Sequence, residues 1–462
     1  MSTQRTSALH LSARLVGGLL IVAGATVGVA AAVLVPVGAT EASRPAVTAQ
    51  PAAGTTLLGC SGPLLALGRD ATDAQSLSIA ETVAFVTTEN VGLREETVAV
   101  TNVPDVTSTM FAIDPVDGER VAAAAAGSVT IATPDLTGFA AYGCQPASMQ
   151  SWLVGADTTT GTTGIVTLTN PGEVTATVDI TVYGVAGPQT VPGSTGIVVA
   201  AKSTVAVDVA AFAGDELGPV LRIDAHDTPV LANLQSGLVR TLSTGGIDVQ
   251  SAVARAETLQ VVPGIVVSDA GAGVMEFQHA RLLSPTERTT ATVSFRAVGA
   301  STDAYLTTMA LEGGIPADVE VPPLPAGTYV MTVTALHPVV AGVWSTTGFE
   351  AGADFAWATA APALSAGDTP FAVSDGATPS LTLANSGDAE ATVRVDSPAG
   401  DMAYTIAVGT SMTVAVNPAT NGTITVDEGT VHAAISYAGD NAIATYPVWP
   451  ADAAAQPVVV RH

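Results

Sequence analysis

The sequence predicts an all-β protein, built of tandem immunoglobulin-like antiparallel β-sandwich modules behind an N-terminal signal or membrane-anchor helix. Three observations carry this. First, Ala176, Val178, Ile180 and Val182 alternate with Thr177, Asp179 and Thr181. That period of two puts one face of a strand into a core and the other into water. Val205, Val207 and Val209 repeat the alternation, as do Leu221, Ile223 and Ala225. Second, Asn170-Pro171-Gly172 is turn chemistry between two such strands, because Pro fixes φ and Gly permits a positive one. Third, the pattern recurs along the chain.

The recurrence sets the expected organisation. The stretch from Leu168 to Glu173, followed by Ala176, returns at Leu282 to Glu287, followed by Ala291. Pro229 to Ser236 returns at Pro338 to Ser345, so one pair of segments holds two ordered matches. A third echo runs from Leu381 through Asn385, and a fourth ends at Asn102. Four β-modules follow, at residues 57–148, 149–252, 253–349 and 350–450. Each is about 100 residues, the usual size of such a sandwich. Modules of this kind are expected to touch through limited surfaces and to fold singly, with hinges near residues 146–150, 244–257 and 349–353.

Taken in order, the chain opens with Arg5, His10 and Arg14 ahead of an uncharged run from Leu15 to Thr40. A basic start and an apolar stretch make residues 1–40 a signal peptide or a membrane anchor, either of which places the rest outside the cytoplasm. Residues 41–56 are Ala/Pro/Thr-rich and read as an extended linker. In the first module, Cys60 and Cys144 are the two cysteines of the chain and stand near its ends. In an exported protein this predicts a disulfide, and no Cys/His ligand spacing suggests a metal. The third module begins near Glu257, and the fourth places Phe355, Trp357 and Thr359 on one strand face. The tail, residues 451–462, carries no apolar span and no Leu-Pro-x-Thr-Gly anchor signal.

Composition narrows the function classes. With 12% charged and 4% aromatic residues, 45 Gly and 28 Pro, the chain is rich in strand and turn formers. Fifteen basic against 41 acidic residues give a formal charge of −26, and Lys202 is the single lysine. No basic patch exists to release counterions from nucleic acid. The acidity reads as a solvated surface, and no Asp-x-Asp-x-Asp-Gly loop marks a calcium site.

No hydrolase elbow, zinc-protease motif or phosphate-binding loop is present, and no catalytic residue, metal ligand or cofactor is assigned. The best polar cluster is Asp224, His226 and Asp227, with His337 near the equivalent place in the next repeat. It reads as a polar strand end entering a proline turn. The adjacent carboxylates Glu95-Glu96, Asp215-Glu216 and Asp427-Glu428 point to opposite faces of a strand and make no acid/base pair by themselves. Trp152, Trp344, Trp357 and Trp449 are weighed as sugar-stacking platforms, but packing at cores and seams is the stronger expectation. Asn421-Gly422-Thr423 is the lone glycosylation sequon.

Together, the apolar segment from Leu15 to Val37, the Ala/Pro linker, Leu57-Leu58-Gly59-Cys60-Ser61-Gly62-Pro63, Cys144 and the Asn-Pro-Gly repeats resemble an exported actinobacterial family known only as a domain of unknown function. Its genes tend to lie near a large glycosyltransferase. The resemblance implies export and tandem β-repeats, and it brings no site residues. The leading expectation is a non-catalytic envelope scaffold or interaction protein. Cell-wall polysaccharide or an envelope protein is the expected partner, with membrane contact through residues 1–40 if they stay uncleaved. A carbohydrate-binding or adhesion protein is the alternative, favoured by an exposed aromatic platform. An envelope hydrolase or transferase is the second, favoured by a cleft with convergent carboxylates and histidine.

Overall fold

Alternation in the sequence becomes pairing in the strand Ala176–Gly184. Ala176, Val178, Ile180 and Val182 are buried, while Thr177, Asp179 and Thr181 stay half-exposed. The strand pairs antiparallel with Val220–His226, and Ile180 faces Ile223 across the ladder. A computed structural model describes residues 46–49, 53–89, 92–214, 216–241, 243–270, 272, 278–450 and 458–461. Among the described residues the protein is all-β, with one helical turn at Ala210–Ala213. The signal or anchor expected at residues 1–40 lies outside the described residues. Within the expected linker and tail, Ala46–Ala49 pairs antiparallel with Val458–Arg461 as a small unit of its own.

The repeat is visible as bonding. Asn170 accepts the Gly172 N–H at 2.9 Å and donates to the Val174 and Val199 carbonyls at 2.7 and 3.0 Å. Asn385 does the same with Gly387, Ala389 and Ile406, at 2.9, 2.9 and 2.8 Å. Both asparagines are buried, so each turn is pinned by one side chain that satisfies three backbone groups. Asn102 works differently. It exchanges two hydrogen bonds with the backbone of Ala206 and so ties the first strand group to the second.

The sheets cross the boundaries expected between modules. One seven-stranded sheet runs Ser243–Ser251, Leu231–Arg240, Thr162–Asn170, Ser203–Asp208, Arg94–Val100, Thr107–Ile113 and Thr56–Gly59. It joins the first two groups through a parallel contact between Ser203–Asp208 and Arg94–Val100. A second seven-stranded sheet is centred on the long strand Gly327–Thr346. Phe355–Thr359, from the fourth expected module, pairs with that strand. The expected hinge at residues 349–353 is therefore the turn of a hairpin inside one sheet.

The expected hinge at residues 244–257 is also corrected. Most of it is the strand Ser243–Ser251, buried from Gly245 onward. Its Gly, Ser, Asp and Gln residues read as solvated, but Gln250 and Asp248 are bonded inside: the Val154 N–H donates to Gln250 Oε1 at 2.7 Å, and the Trp357 N–H to Asp248 Oδ2 at 2.9 Å. Cores are shared as well. Ile247 and Val249 pack with Cys60, Cys144 and Tyr142. Phe139 and Ala141 pack into the core of the fourth group, and Trp152 and Val154 into that of the third. The strands Thr137–Gly143, Ser243–Ser251, Phe355–Thr359 and Ala442–Pro447 pack on one another in a cycle, one each from the first and second expected modules and two from the fourth. Residues 52–455 accordingly form a single compact unit.

Candidate ligand-binding site

The second seven-stranded sheet builds a row of side chains by register alone. Gln278–Leu283 lies between Ala317–Glu320 and Gly327–Thr346, and Phe355–Thr359 lies beyond. His279 is opposite both Glu320 and Trp344, and Trp344 is opposite Trp357. Directly opposed residues share a face, so Glu320, His279, Trp344 and Trp357 form one rung. The next same-face rung holds Asp318, Arg281, Gly342 and Thr359. His279 stacks on Trp344 with centroids 5.2 Å apart and meets Trp357 edge-on at 5.5 Å. Trp344 in turn lies 6.2 Å from Phe355.

These side chains line a pocket of about 460 Å³, closed on its other side by the second strand group at Gly155, Asp157, Thr163, Gly218 and Leu238. The volume lies in the range of small-molecule sites. Gly155 has φ +84, and a Cβ there would collide with the Trp357 indole, so only glycine lets the indole lie against this turn.

The electrostatics of the pocket are set by pairing. Arg281 is buried, and its Nε and Nη2 hold the two Asp318 oxygens at 2.7 and 2.6 Å, while Nη1 donates to the Gly218 carbonyl. Burial alone would raise the Asp318 carboxyl, but the hydrogen bonds and charge of Arg281 outweigh it and hold it below the usual range. Burial pushes the His279 imidazole down to about 4, against the pull of Asp318, so the ring is neutral at pH 7. Asp157 accepts the Thr159 N–H at 2.9 Å and its hydroxyl at 3.1 Å.

A family model, "Family of unknown function (DUF5719)", matches residues 98–433. The chain belongs to this family. The matched DUF5719 region contains every residue that lines the pocket. No curated protein matches the sequence.

Apart from Trp344, Phe355 and Trp357, the residues singled out in the sequence of this DUF5719 member fall elsewhere. Cys60 and Cys144 are joined by a disulfide, with Cα atoms 4.5 Å apart. Asp224 is bonded by Arg222 at 2.6 Å and Gln150 at 2.8 Å, and His226 faces Asp179 at 2.9 Å. Asp227 takes a positive φ in the turn that follows. His337 faces Glu287 at 3.5 Å, so each histidine has its own carboxylate partner. Glu96 pairs with Lys202 at 3.2 Å and Asp427 with Arg394 at 2.8 Å; Glu216 accepts the Val185 N–H, and Asp215 lies outside the described residues. The Asn421 amide donates to the Thr87 carbonyl at 3.1 Å. Among the described residues no group of three or more His, Cys, Asp or Glu could hold a metal ion.

Of the tryptophans, Trp152 is a core residue beneath the Arg222 guanidinium, and Trp449 lines a small separate pocket. Trp344 is half-buried and Trp357 mostly buried, and both line the larger pocket at a seam. Sequence reasoning missed His279, Arg281, Asp318 and Glu320. The available signal was the spacing His-x-Arg and Asp-x-Glu, each pair sharing a strand face; nothing local says that these two strands are neighbours.

Proposed function

We propose that this DUF5719 member is an exported, non-catalytic carbohydrate-binding protein of an actinobacterial cell envelope. The observation that carries the reading is the rung Glu320, His279, Trp344 and Trp357 on the floor of the pocket. Indole faces stack on the apolar faces of sugar rings, and flanking carboxylates and amides accept and donate hydrogen bonds to hydroxyls. This raises the carbohydrate-binding alternative above a plain scaffold.

Hydrolysis is disfavoured by the same groups. A glycosidase sets two carboxyls apart in pKa, one protonated as acid. Here Asp318 is held ionised by Arg281, Asp157 is bonded by Thr159, and the His279 ring is neutral at pH 7 and so is not a general acid. Export rests on the basic start and apolar run of residues 1–40, together with the disulfide. The four strand groups are read as immunoglobulin-like sandwiches in tandem, tied together by their shared sheets.

The test is a titration of the full chain with soluble cell-wall oligosaccharides, followed by intrinsic tryptophan fluorescence. Saturable quenching that disappears in Trp344→Ala, with no new reducing ends released, is expected. A flat response to every fraction, with the chain folded, would remove the reading.

A further inference from the structure

The charge of the pocket selects among saccharides. Arg281 is the one basic side chain lining it, and its three nitrogens are already engaged by Asp318 and the Gly218 carbonyl. Three carboxylates, from Asp157, Asp318 and Glu320, stand against that single guanidinium. Arg281 compensates Asp318, which leaves the charges of Asp157 and Glu320 without a counter-ion in the pocket. Glu320 is exposed at the end of the aromatic rung.

A second feature points to a ligand independently of charge. Trp344 lines the pocket, half-buried, one strand along the rung from His279 and two from Glu320. Its ring favours a cation or the face of a sugar. An anionic sugar would meet both the local carboxylates and a chain of formal charge −26.

We propose that the pocket takes a saccharide with a free ammonium group, an unacetylated amino sugar, whose ring lies on Trp344 and whose ammonium pairs with Glu320. This rests on the carbohydrate reading above. An ammonium against a carboxylate makes charge-assisted hydrogen bonds, and acetylation removes both that charge and its donors.

The experiment is calorimetric titration of the full chain at about pH 6, below the range in which amines titrate. The probes are a glucosamine tetramer, its fully N-acetylated counterpart and a trilysine peptide. The glucosamine tetramer is expected to bind at least about tenfold more tightly than either, a ratio that one ammonium contact supplies. Glu320→Gln, a surface change, should erase that preference while Trp344→Ala weakens both tetramers. Equal or tighter binding of the acetylated tetramer overturns the ammonium assignment and leaves the carbohydrate reading standing. Equal binding of trilysine overturns the saccharide part. Binding of none of the three overturns both.

Discussion

The Asp354 carboxylate accepts the backbone N–H of Ile247 at 3.2 Å across a separation of 107 residues. It also accepts the N–H groups of Phe139 at 3.1 Å and Ile443 at 3.3 Å. One buried acid thus holds three of the four strands that pack in a cycle, and it immediately precedes the fourth, Phe355–Thr359. Burial pushes its carboxyl well above the usual range, while the N–H groups pull the other way. Asp354→Ala would leave these donors without an acceptor in a dry core, at about 1–3 kcal/mol each. The expected loss is about 3 kcal/mol or more in urea denaturation of the full chain. Asp354→Asn, which keeps one acceptor oxygen, should cost less. An alanine variant as stable as the parent would show that the junction does not depend on this residue.

Much of the fold was legible locally, and the reason for the rest is physical. Alternation found the strand Ala176–Gly184, and Asn170 and Asn385 marked equivalent turns, because both signals live within a few residues. The strand Ser243–Ser251 was illegible, since its Asp248 and Gln250 look solvated until Trp357 and Val154 arrive as partners. The pocket failed for the same cause. Trp344 and Trp357 were visible as candidates, but His279 and Glu320 join them only through pairing between distant strands. An expected compartment and the placement of the two cysteines, by contrast, sufficed for Cys60 and Cys144.

Two buried groups are expected to titrate against each other. Burial raises the Asp248 carboxyl to about 7, with the Trp357 N–H opposing. Its folded value lies above the unfolded one, so it contributes stability that is full below about pH 4 and is lost as pH rises to about 7, of order 4 kcal/mol. Burial lowers the His279 ring to about 4, so its contribution is present above the unfolded value near 6.5 and is lost as pH falls toward 4. The two slopes oppose each other over the same window. Asp354, also raised by burial, adds a slope of the same sign as Asp248, so relative to the parent Asp248→Asn should gain less stability on acidification from about pH 7 to about pH 5, and His279→Gln should gain more. Urea midpoints across that range test both signs, and parallel profiles for parent and variants would refute the pairing.

The disulfide is predicted to matter for stability. Cys60 and Cys144 are both buried in one core with Tyr142 and Phe111, and 84 positions separate them. Closing a loop of that length limits the unfolded chain by roughly 4–5 kcal/mol in the entropy model. Double substitution to alanine should lower unfolding free energy by that order, and intact mass under non-reducing alkylation should show no labelled thiol. Two labelled thiols in the unreduced protein would rule the bond out.

The last prediction concerns how far the strand groups can be separated. Three features of the second group depend on the first. Ser203–Asp208 pairs in parallel with Arg94–Val100, so excision opens a sheet edge. Gln235 exchanges two hydrogen bonds with the Leu65 backbone, at 2.8 and 2.6 Å, which would be left open. Ile247 and Val249 belong to the core that contains the disulfide and would face water. Exposed edges and apolar residues drive association. A fragment spanning residues 148–251 should accordingly aggregate or melt without cooperativity. One spanning residues 53–251 should unfold cooperatively, because it keeps the parallel contact, the Gln235 pair and the shared core together. It still lacks Phe355–Thr359 and Ala442–Pro447, the two other strands of the central cycle, so its midpoint should fall below that of the full chain. Circular dichroism melts of the two fragments beside the full chain decide the matter, and a cooperative, monomeric 148–251 would restore the independent module.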